Sequence, residues 1–355
     1  MKSIRRDFEN REKTFIAPYG CLSVASRGRL KKEDPCPIRT SFQRDRDRIV
    51  FSHFFRRLKY KTQVFLSPLG DNYRTRLTHT LEVAQIARTI ARAMRLNEDL
   101  VEVIALGHDL GHTPFGHSGE TVLRKICSEG FTHNEQSLRV VDVLDRKGEG
   151  LNLCFEVRDG ILKHSKGYGD IIPEDPEEAA FTVEGRIVRV ADIMAYLNHD
   201  LDDAIRSRVI SREQVPGECS RILGDNPPKR AAAMIQDLIS NSEPDGHDMH
   251  LKLGKDVFRA MTILREFLYD NVYKSKPVEG EFIKSNKILT ELYRFFLDPK
   301  NKTYLHRELD ALELSFCKHR PQQTIERTVC DFIASITDRY ALELYTRLFF
   351  PAPMV

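Results

Sequence analysis

The chain of 355 residues has no apolar stretch close to the roughly 20 residues that a helix needs to cross a bilayer. Its N-terminal segment, from Met1 to Glu9, lacks the apolar core of a secretion signal. The seven cysteines include no C-x-x-C pair, which argues against a disulfide framework or a zinc ribbon and favours reduced thiols. These absences predict a cytoplasmic protein that does not bind a membrane.

Glycine-rich phosphate-binding motifs are absent as well, since neither G-x-x-x-x-G-K-[ST] nor G-x-G-x-x-G occurs. Any phosphate group would therefore have to be met by a metal ion or by arginine, lysine and histidine side chains. The formal net charge of +3 permits a polyanionic ligand but does not indicate nucleic acid. Strand patterns are few and helical periodicity dominates, so we expect an all-α fold.

Three histidines and two carboxylates lie within thirteen residues, between His108 and Glu120. His108 and Asp109 follow an apolar run, residues 100–106, that predicts a buried helix with Asn97 as its N-cap. Ionisable side chains beside such a helix are costly unless they are paired or bind a metal ion. This segment is therefore the first candidate for a functional site.

Glycine and proline residues break the helical pattern directly after this pair. His112, His117 and Glu120 are therefore expected in a loop and at the start of the next helix. A buried histidine is by itself more often a hydrogen-bonded core residue than a metal ligand. A metal site thus requires further ligands elsewhere in the chain.

His79 and Asp192 are the candidates for these further ligands. His79 falls on the apolar side of a predicted helix, for which Thr78 is the expected N-cap. Asp192 lies among apolar neighbours in the helical segment 186–200, and a carboxylate there needs a compensating cation. A divalent ion of the Mn, Mg, Fe, Co, Ni or Zn class would supply this cation. Bound by His79, His108, Asp109 and Asp192, such an ion would keep open positions for water and substrate.

The chain as a whole predicts one domain over residues 1–355. Residues 1–43 form a polar, turn-rich N-terminal arm, about 44–210 a core and about 211–355 a C-terminal helical part. Helices are expected over residues 49–58, over 229–239 among loops, and through 324–349. The arm has little chance of burying a core of its own, and arms of this kind often cross to a neighbouring subunit.

The order His, His-Asp, Asp of the four ligand candidates resembles the HD phosphohydrolase superfamily, and the flanking sequence resembles its deoxyguanosine triphosphate triphosphohydrolase-like branch. The matching stretches are residues 45–52, 56–65, 76–79, 108–120, 161–167 and 337–341. Most specific are Arg-Arg-Leu-Lys-Tyr-Lys-Thr-Gln-Val at 56–64, and His-Asp-Leu-Gly-His at 108–112 with Phe-Gly-His at 115–117. The resemblance implies metal-dependent hydrolysis of a deoxynucleoside triphosphate (dNTP) at the α-phosphorus, which gives a deoxynucleoside and inorganic triphosphate.

The same resemblance implies an HD-domain helical bundle with a central metal site, additional peripheral helices and a homo-oligomer. We expect the N-terminal arm to contribute to the interface between its subunits. His117, backed by Glu120, would protonate the leaving 5′-oxygen, and His112 and His133 would lie near the α-phosphate. The implied substrate-binding residues are Gln63 at the 3′-hydroxyl, Arg76 at a phosphate, Tyr196 and Asp200 at the sugar, and Arg265, Tyr269 and Tyr273 at the triphosphate and base.

Other functions stay open on the sequence. A different HD-type phosphohydrolase, such as a nucleotidase or a cyclic-nucleotide phosphodiesterase, is disfavoured because the loop after His108 and Asp109 is rich in histidine rather than lysine. A protein that only senses nucleotides is disfavoured by the complete set of ligands and acid–base groups. The sequence leaves open the base preference, the native metal, a dNTP as allosteric effector, and single-stranded nucleic-acid binding as a side activity.

Overall fold

The computed structural model describes residues 4–64, 74–165, 169–173, 175–320 and 323–351. Phe65 and residues 166–167, which end two of the matching stretches, lie outside them. The chain forms two compact units. One comprises Met1–Phe51, Thr78–His108 and Asn152–Ser275, and the other comprises Ser52–Leu77, Asp109–Leu151 and Lys276–Val355.

The regular secondary structure of the described residues is helical apart from one small sheet, which confirms the all-α prediction. The α-helices in chain order are α1 (Ile4–Phe15), α2 (Ser41–Val50), α3 (His53–Arg57), α4 (Arg76–Ala93), α5 (Glu98–Gly107), α6 (Gly116–Ile126), α7 (His133–Arg139), α8 (Phe155–Lys163), α9 (Val183–Arg206), α10 (Gly217–Leu223), α11 (Pro227–Asn241), α12 (Lys255–Leu268), α13 (Lys276–Leu297), α14 (Lys302–Ala311), α15 (Ile325–Ser335) and α16 (Asp338–Phe349). Short 3₁₀-helices cover Ser23–Ala25, Leu58–Tyr60, Arg146–Gly148, Arg212–Gln214, Pro299–Asn301 and Ser315–His319, and π-helical turns cover Val140–Leu144 and Tyr269–Tyr273. Strands β1 (Glu243–Asp245) and β2 (Asp248–His250) pair antiparallel. Among the helices described, none has the length and apolar character of a membrane span.

Helix α5 is the buried centre of the first unit, and it packs against α2, α8 and α9. Its N-terminus is capped as predicted, because the Asn97 side chain accepts a hydrogen bond from the Leu100 backbone N–H. Glu98 and Asp99 place negative charge at this positive end of the helix. The helix therefore has a defined start and carries its apolar run into the core.

Glycines allow α5 and α8 to approach closely. A Cβ atom added at Gly107 would lie 2.6 Å from the Ile161 side chain, and one added at Gly160 would lie 2.6 Å from the Ile104 side chain. A larger residue at either position would push the helices apart. Because His108 and His164 are the C-cap residues of α5 and α8, this packing brings the two histidines together.

Helix α13 plays the corresponding role in the second unit, where it packs against α6, α14, α15 and α16. A buried carboxylate joins two further helices of this unit. Asp331 on α15 lies 2.7 Å from Arg139 of α7 and 2.9 Å from Arg327 of its own helix. Two guanidinium groups thus compensate a charge that would otherwise be costly in the core.

The helix expected over residues 49–58 is interrupted, so this prediction was wrong in its extent. Helix α2 ends at Val50, and α3 starts after Ser52, whose side chain accepts from the Phe55 backbone N–H. The serine hydroxyl thus caps a new helix within the periodic apolar pattern. Thr78 is likewise not an N-cap, because α4 already begins at Arg76, next to the bridge between Thr62 and Thr75.

Two segments that we expected to be loop-rich contain additional helices. The N-terminal arm, residues 1–43, includes α1. The loops expected around residues 229–239 include α10, and the helix expected there is longer than predicted and runs from Pro227 to Asn241. Asn226 caps that helix and two prolines open it, a combination that favours a helix start.

Candidate functional site

Three histidines and one carboxylate converge in the first unit, on or at the ends of α4, α5, α8 and α9. His79 Nε2 lies 3.1 Å from Asp192 Oδ1 and 3.3 Å from His108 Nε2. His108 Nε2 lies 3.9 Å from the same Asp192 oxygen. His164 adds a ligand atom within 4.8 Å of those of His108 and Asp192. The three imidazoles are at most 2% exposed, so these side chains form a buried polar cluster.

Two of the three rings are held by hydrogen bonds from Nδ1 to backbone carbonyl groups. His108 Nδ1 lies 2.6 Å from the Ala105 carbonyl oxygen, and His164 Nδ1 lies 2.7 Å from the Ile161 carbonyl oxygen. A carbonyl can only accept, so each Nδ1 carries the proton and each Nε2 keeps its lone pair. Imidazoles held in this way, together with a carboxylate, suit a divalent transition-metal ion. The cluster therefore fits a divalent cation.

His164 is a ligand candidate that the sequence analysis missed, although it lies in the matching stretch 161–167. The available signal was local. Like His108, it is a histidine that directly follows an apolar helix, and in the structure both rings donate to the carbonyl three residues earlier. Local spacing could not show that the two helix ends meet.

In the second unit, Glu120 lies between two histidines. His133 Nδ1 lies 3.0 Å from Glu120 Oε1, and the His133 backbone N–H donates to the same oxygen. His117 Nδ1 lies 3.5 Å from Glu120 Oε2. As predicted, His117 and Glu120 stand near the start of a helix, α6, and His112 stands in the preceding turn.

Charge and burial act in opposite directions on this carboxylate–histidine pair. Burial alone would raise the pKa of Glu120, but the charge of His133 and hydrogen bonds from His117 and His133 hold that pKa well below its ordinary value. Burial alone would lower the pKa of His133, but the charge and hydrogen bond of Glu120 raise it above its ordinary value. In this pair each partner therefore favours the charged form of the other.

The histidines differ in their access to solvent. The His117 side chain is 66% exposed, whereas the His133 side chain is 8% exposed. His112 is buried and stacks on His133 with ring centroids 4.1 Å apart, and its Nε2 lies 3.2 Å from Asp109 Oδ1. Burial, and then the charge of Arg76, lowers the pKa of His112 well below its ordinary value. Of these three rings, His117 is the one that a bound molecule could most easily reach.

Arg76 is 1% exposed at the first turn of α4, and its Nη1 donates to Asp109 Oδ2 at 2.8 Å. Its Nε and Nη2 atoms have no hydrogen-bond partner in the described part of the chain, and the same holds for Gln63 Oε1 and His112 Nδ1. Buried polar atoms are rarely left unsatisfied in folded proteins. These atoms are therefore candidates for contacts to a bound polar group in the second unit.

The loop before α6 is held close to Arg76. Gly116 has φ +57°, and a Cβ atom there would lie 2.9 Å from the Gln63 carbonyl oxygen and 3.0 Å from Arg76 Nη2. The preceding Phe115 N–H donates to Asp338 Oδ1 at 2.9 Å. Glycine is therefore required at 116 by both the backbone conformation and the space.

Lys61 and Asp338 support this region, although we assigned them no role from the sequence. The buried Lys61 ammonium group donates to the carbonyls of His112 and Ala334, and burial lowers its pKa to about 7. Asp338 accepts from the Thr62 backbone N–H at 2.9 Å as well as from the loop before α6. Both residues lie in matching stretches, but only their distant contacts indicate what they do.

The remaining candidate substrate residues lie in the first unit. Tyr196 and Asp200 follow Asp192 at four-residue intervals on α9. The Tyr273 hydroxyl donates to Asp200 Oδ2 at 2.6 Å, so the structure brings two of these candidates together. Two of the other three make different contacts: Arg265 Nη1 donates to the Gly169 carbonyl oxygen at 2.7 Å, and Tyr269 is 42% exposed with the Lys274 ammonium 4.2 Å from its ring centre.

Comparison with known proteins identifies relatives along nearly the whole chain. An HD domain matches residues 76–197, and a phosphohydrolase-associated domain matches residues 251–347. A deoxyguanosinetriphosphate triphosphohydrolase-like protein of Desulfatibacillum aliphaticivorans is 57% identical over 99% of this chain and 100% of its own length. A protein of the same description from Caldanaerobacter subterraneus subsp. tengcongensis is 48% identical over 99% of this chain and 97% of its own. A solved structure of a hypothetical protein from Aquifex aeolicus covers 86% of this chain and 68% of its own, with 21% identity and a TM-score of 0.43.

Proposed function

Because the chain belongs to the family of deoxyguanosinetriphosphate triphosphohydrolase-like proteins and contains an HD domain, we propose that it hydrolyses dNTPs at the α-phosphorus. The products would be a deoxynucleoside and inorganic triphosphate. The protein is an HD-type phosphohydrolase. The observation that supports the finer assignment is the group of buried polar atoms on Gln63, Arg76 and His112 that lack partners among the described residues.

We propose that a divalent metal ion is held by His79, His108, Asp109 and Asp192, with His164 beside them. Asp109 follows His108 by one peptide bond, and its carboxylate oxygens contact Arg76 and His112. When bound, the ion would act as a Lewis acid toward the phosphoryl group. The buried carboxylate of Asp109 would thus serve both the ion and the arginine.

The other side chains would bind the phosphate and move the proton. The Arg76 guanidinium offers Nε and Nη2 in the planar arrangement that suits a phosphate oxygen pair. His117 would protonate the leaving 5′-oxygen, since its ring is exposed and lies next to the ionised Glu120. His133 would hold Glu120 in place. Gln63, Tyr196 and Asp200 would bind the sugar, and Arg265, Tyr269 and Tyr273 the rest of the nucleotide.

The organisation of the protein around this site is also part of the proposal. We propose that residues 1–355 act as one functional unit, in which 1–43 is the arm, about 44–210 the HD core and about 211–355 the C-terminal helical part. The homo-oligomer, the cytoplasmic location, a dNTP effector and weak single-stranded nucleic-acid binding stay predictions.

Product analysis tests the proposed reaction directly. Purified protein is incubated with each of the four dNTPs, alone and in mixtures, with Mn²⁺, Mg²⁺, Co²⁺ or Ni²⁺. We expect inorganic triphosphate and deoxynucleoside in equal amounts by ion-exchange chromatography. Release of orthophosphate or pyrophosphate alone would refute cleavage at the α-phosphorus. Protein with Arg76→Ala, prepared identically, controls for contaminating phosphatases because it lacks the proposed phosphate ligand.

Discrimination between sugars provides a second prediction. If the Tyr196 ring lies against C2′, wild-type protein should hydrolyse dGTP much faster than GTP, and Tyr196→Ala should narrow this difference. A hydrophobic contact of this kind corresponds to about 10- to 200-fold discrimination. Tyr196→Phe, which keeps the ring, is the matched control and should retain the preference. Equal wild-type rates on dGTP and GTP would rule out the proposed contact.

A further inference from the structure

A buried chain of polar contacts in the first unit connects the metal ligand His79 with Asp200. His199 Nε2 lies 2.8 Å from His79 Nδ1. On its other side, His199 Nδ1 lies 2.7 Å from Asp200 Oδ1, and the Tyr273 hydroxyl donates to Asp200 Oδ2 at 2.6 Å. His79, His199 and Asp200 are 1%, 0% and 2% exposed, so bulk water does not compete for these contacts.

We propose that His199 is a positioning residue that holds His79 in the orientation and tautomer required for metal binding, and that Asp200 and Tyr273 in turn hold His199. This inference rests on the proposed function in one respect, namely that His79 binds the metal ion. His199 belongs to neither the ligand set nor the substrate set that the sequence indicates.

The direction of the hydrogen bond between the two histidines follows from the proposed ligand role of His79. If His79 binds the ion through Nε2, that nitrogen keeps its lone pair and the His79 proton is on Nδ1. His79 Nδ1–H then donates to His199 Nε2, which places the His199 proton on Nδ1, beside the Asp200 carboxylate. His79 Nε2 is the nitrogen 3.1 Å from Asp192 Oδ1. This arrangement of protons therefore points the His79 lone pair into the metal cluster.

His79 differs in this respect from the two other histidines of the cluster. His108 and His164 donate from Nδ1 to backbone carbonyls of their own helices, which are fixed as soon as the helices form. The Nδ1 partner of His79 is a side chain from another helix, α9. Substitution of His199 can therefore weaken the orientation of His79 without altering the backbone, which makes the proposal testable.

Two substitutions separate positioning from simple filling of the core. His199→Gln keeps an amide oxygen that can accept from His79 Nδ1–H, whereas His199→Leu keeps a similar volume without an acceptor. We expect Leu to weaken Mn²⁺ binding by about 10- to 100-fold, the usual effect of removing a partner of a metal-bound histidine. We expect His199→Gln to bind Mn²⁺ with an affinity close to that of the wild type. Mn²⁺ titration of the full chain followed by electron paramagnetic resonance measures both affinities.

The metal-free proteins and a distal variant complete the test. Metal-free His199→Leu and His199→Gln should melt at similar temperatures. Any loss of core packing would affect both variants alike, so a difference in their Mn²⁺ affinity must come from the hydrogen-bond acceptor. Tyr273→Phe should weaken Mn²⁺ binding by less than His199→Leu, and Tyr293→Phe, which removes a hydroxyl bonded to Glu326 in the second unit, should have no effect. Co²⁺-loaded protein should show an altered visible spectrum for His199→Leu only.

Two outcomes would overturn the proposal. One is wild-type Mn²⁺ affinity in His199→Leu. The other is an equal loss in the Gln and Leu variants at equal metal-free stability, since the acceptor would then not be the cause. If His199→Leu does not fold, His199→Gln and Tyr273→Phe are compared with wild type: near-wild-type Mn²⁺ affinity in Gln with a weaker affinity in Tyr273→Phe supports the proposal, and a loss in Gln that exceeds the loss in Tyr273→Phe overturns it. None of these measurements requires dNTP hydrolysis, so a failure of the proposed reaction would be seen separately, in the product analysis.

Discussion

Asp192→Ala protein is expected to lose its divalent metal ion and, with it, nearly all phosphohydrolase activity. Asp192 is the carboxylate of the first-unit cluster, 3.1 Å from His79 Nε2 and 3.9 Å from His108 Nε2. Without it, the imidazoles offer the ion no negative charge in that unit. We expect metal affinity to fall by about 10-fold or more, because the ion binds only deprotonated ligands that the fold brings together.

The same variant should lose the stabilisation that metal confers on wild-type protein. A ligand that binds only the folded state stabilises it by RT ln(1 + [L]/Kd), so a weaker Kd reduces the shift in melting temperature. Metal analysis, melting curves with and without metal, and single-turnover rates measure these effects. Asp202→Ala is the matched control, because Asp202 lies on the same helix and pairs with Arg206 at the surface. Retention of both metal and activity by Asp192→Ala would require a different ligand set.

The parts of this fold that the sequence predicted are those set by local interactions. The buried helix before His108 follows from an uninterrupted apolar run and from Asn97, whose cap involves residues three apart. The same local reasoning failed at Ser52, where a hydroxyl caps a new helix inside a periodic pattern. It failed again at Thr78, because the start of α4 is set by contacts with residues 61 and 62. Helix boundaries depend on such competing contacts more than helix existence does.

The supporting residues of the site could not be predicted in this way. Lys61 and Ala334 are 273 positions apart, and Thr62 and Asp338 are 276 positions apart. His199 contacts His79 across 120 positions. No spacing rule links such residues, since their proximity results from the packing of several helices. The residue patterns supplied the candidate ligands and the family resemblance supplied the candidate substrate residues, but neither supplied the residues that orient the ligands.

Removal of the His117 imidazole is expected to lower kcat while the metal and the fold are retained. His117→Ala should reduce kcat by roughly 10²- to 10⁴-fold, the usual effect of losing one general acid. The ring is 66% exposed, so its removal leaves little buried space. Single-turnover rates, metal content and melting temperature measure the three quantities. His53→Ala is a matched control, because His53 is also exposed and lies 3.5 Å from a carboxylate, that of Glu313.

Glu120→Gln should reduce both activity and stability. The loss of stability should depend on pH in the way expected for an ion pair between Glu120 and His133. The raised pKa of His133 contributes stability that is fully present below the ordinary histidine pKa of about 6.5 and is lost as pH rises through the raised value. The lowered pKa of Glu120 contributes stability above the ordinary glutamate pKa of about 4.3, lost as pH falls through the lowered value. The stability difference between wild type and Glu120→Gln should therefore be largest between these two ordinary values and shrink toward alkaline pH.

Urea unfolding of wild type and Glu120→Gln at pH 5.5, 7.5 and 9 measures this difference in stability. The same measurement on His117→Ala shows how much of the stability depends on the exposed histidine. We expect His117→Ala to stay close to wild-type stability throughout, because the buried contact between Glu120 and His133 is intact in that variant. A stability difference for Glu120→Gln that grows toward pH 9 would contradict the ion pair.

Loss of the metal in His117→Ala would contradict the separation of metal binding from proton transfer, and the assignment of ligands would then have to include His117.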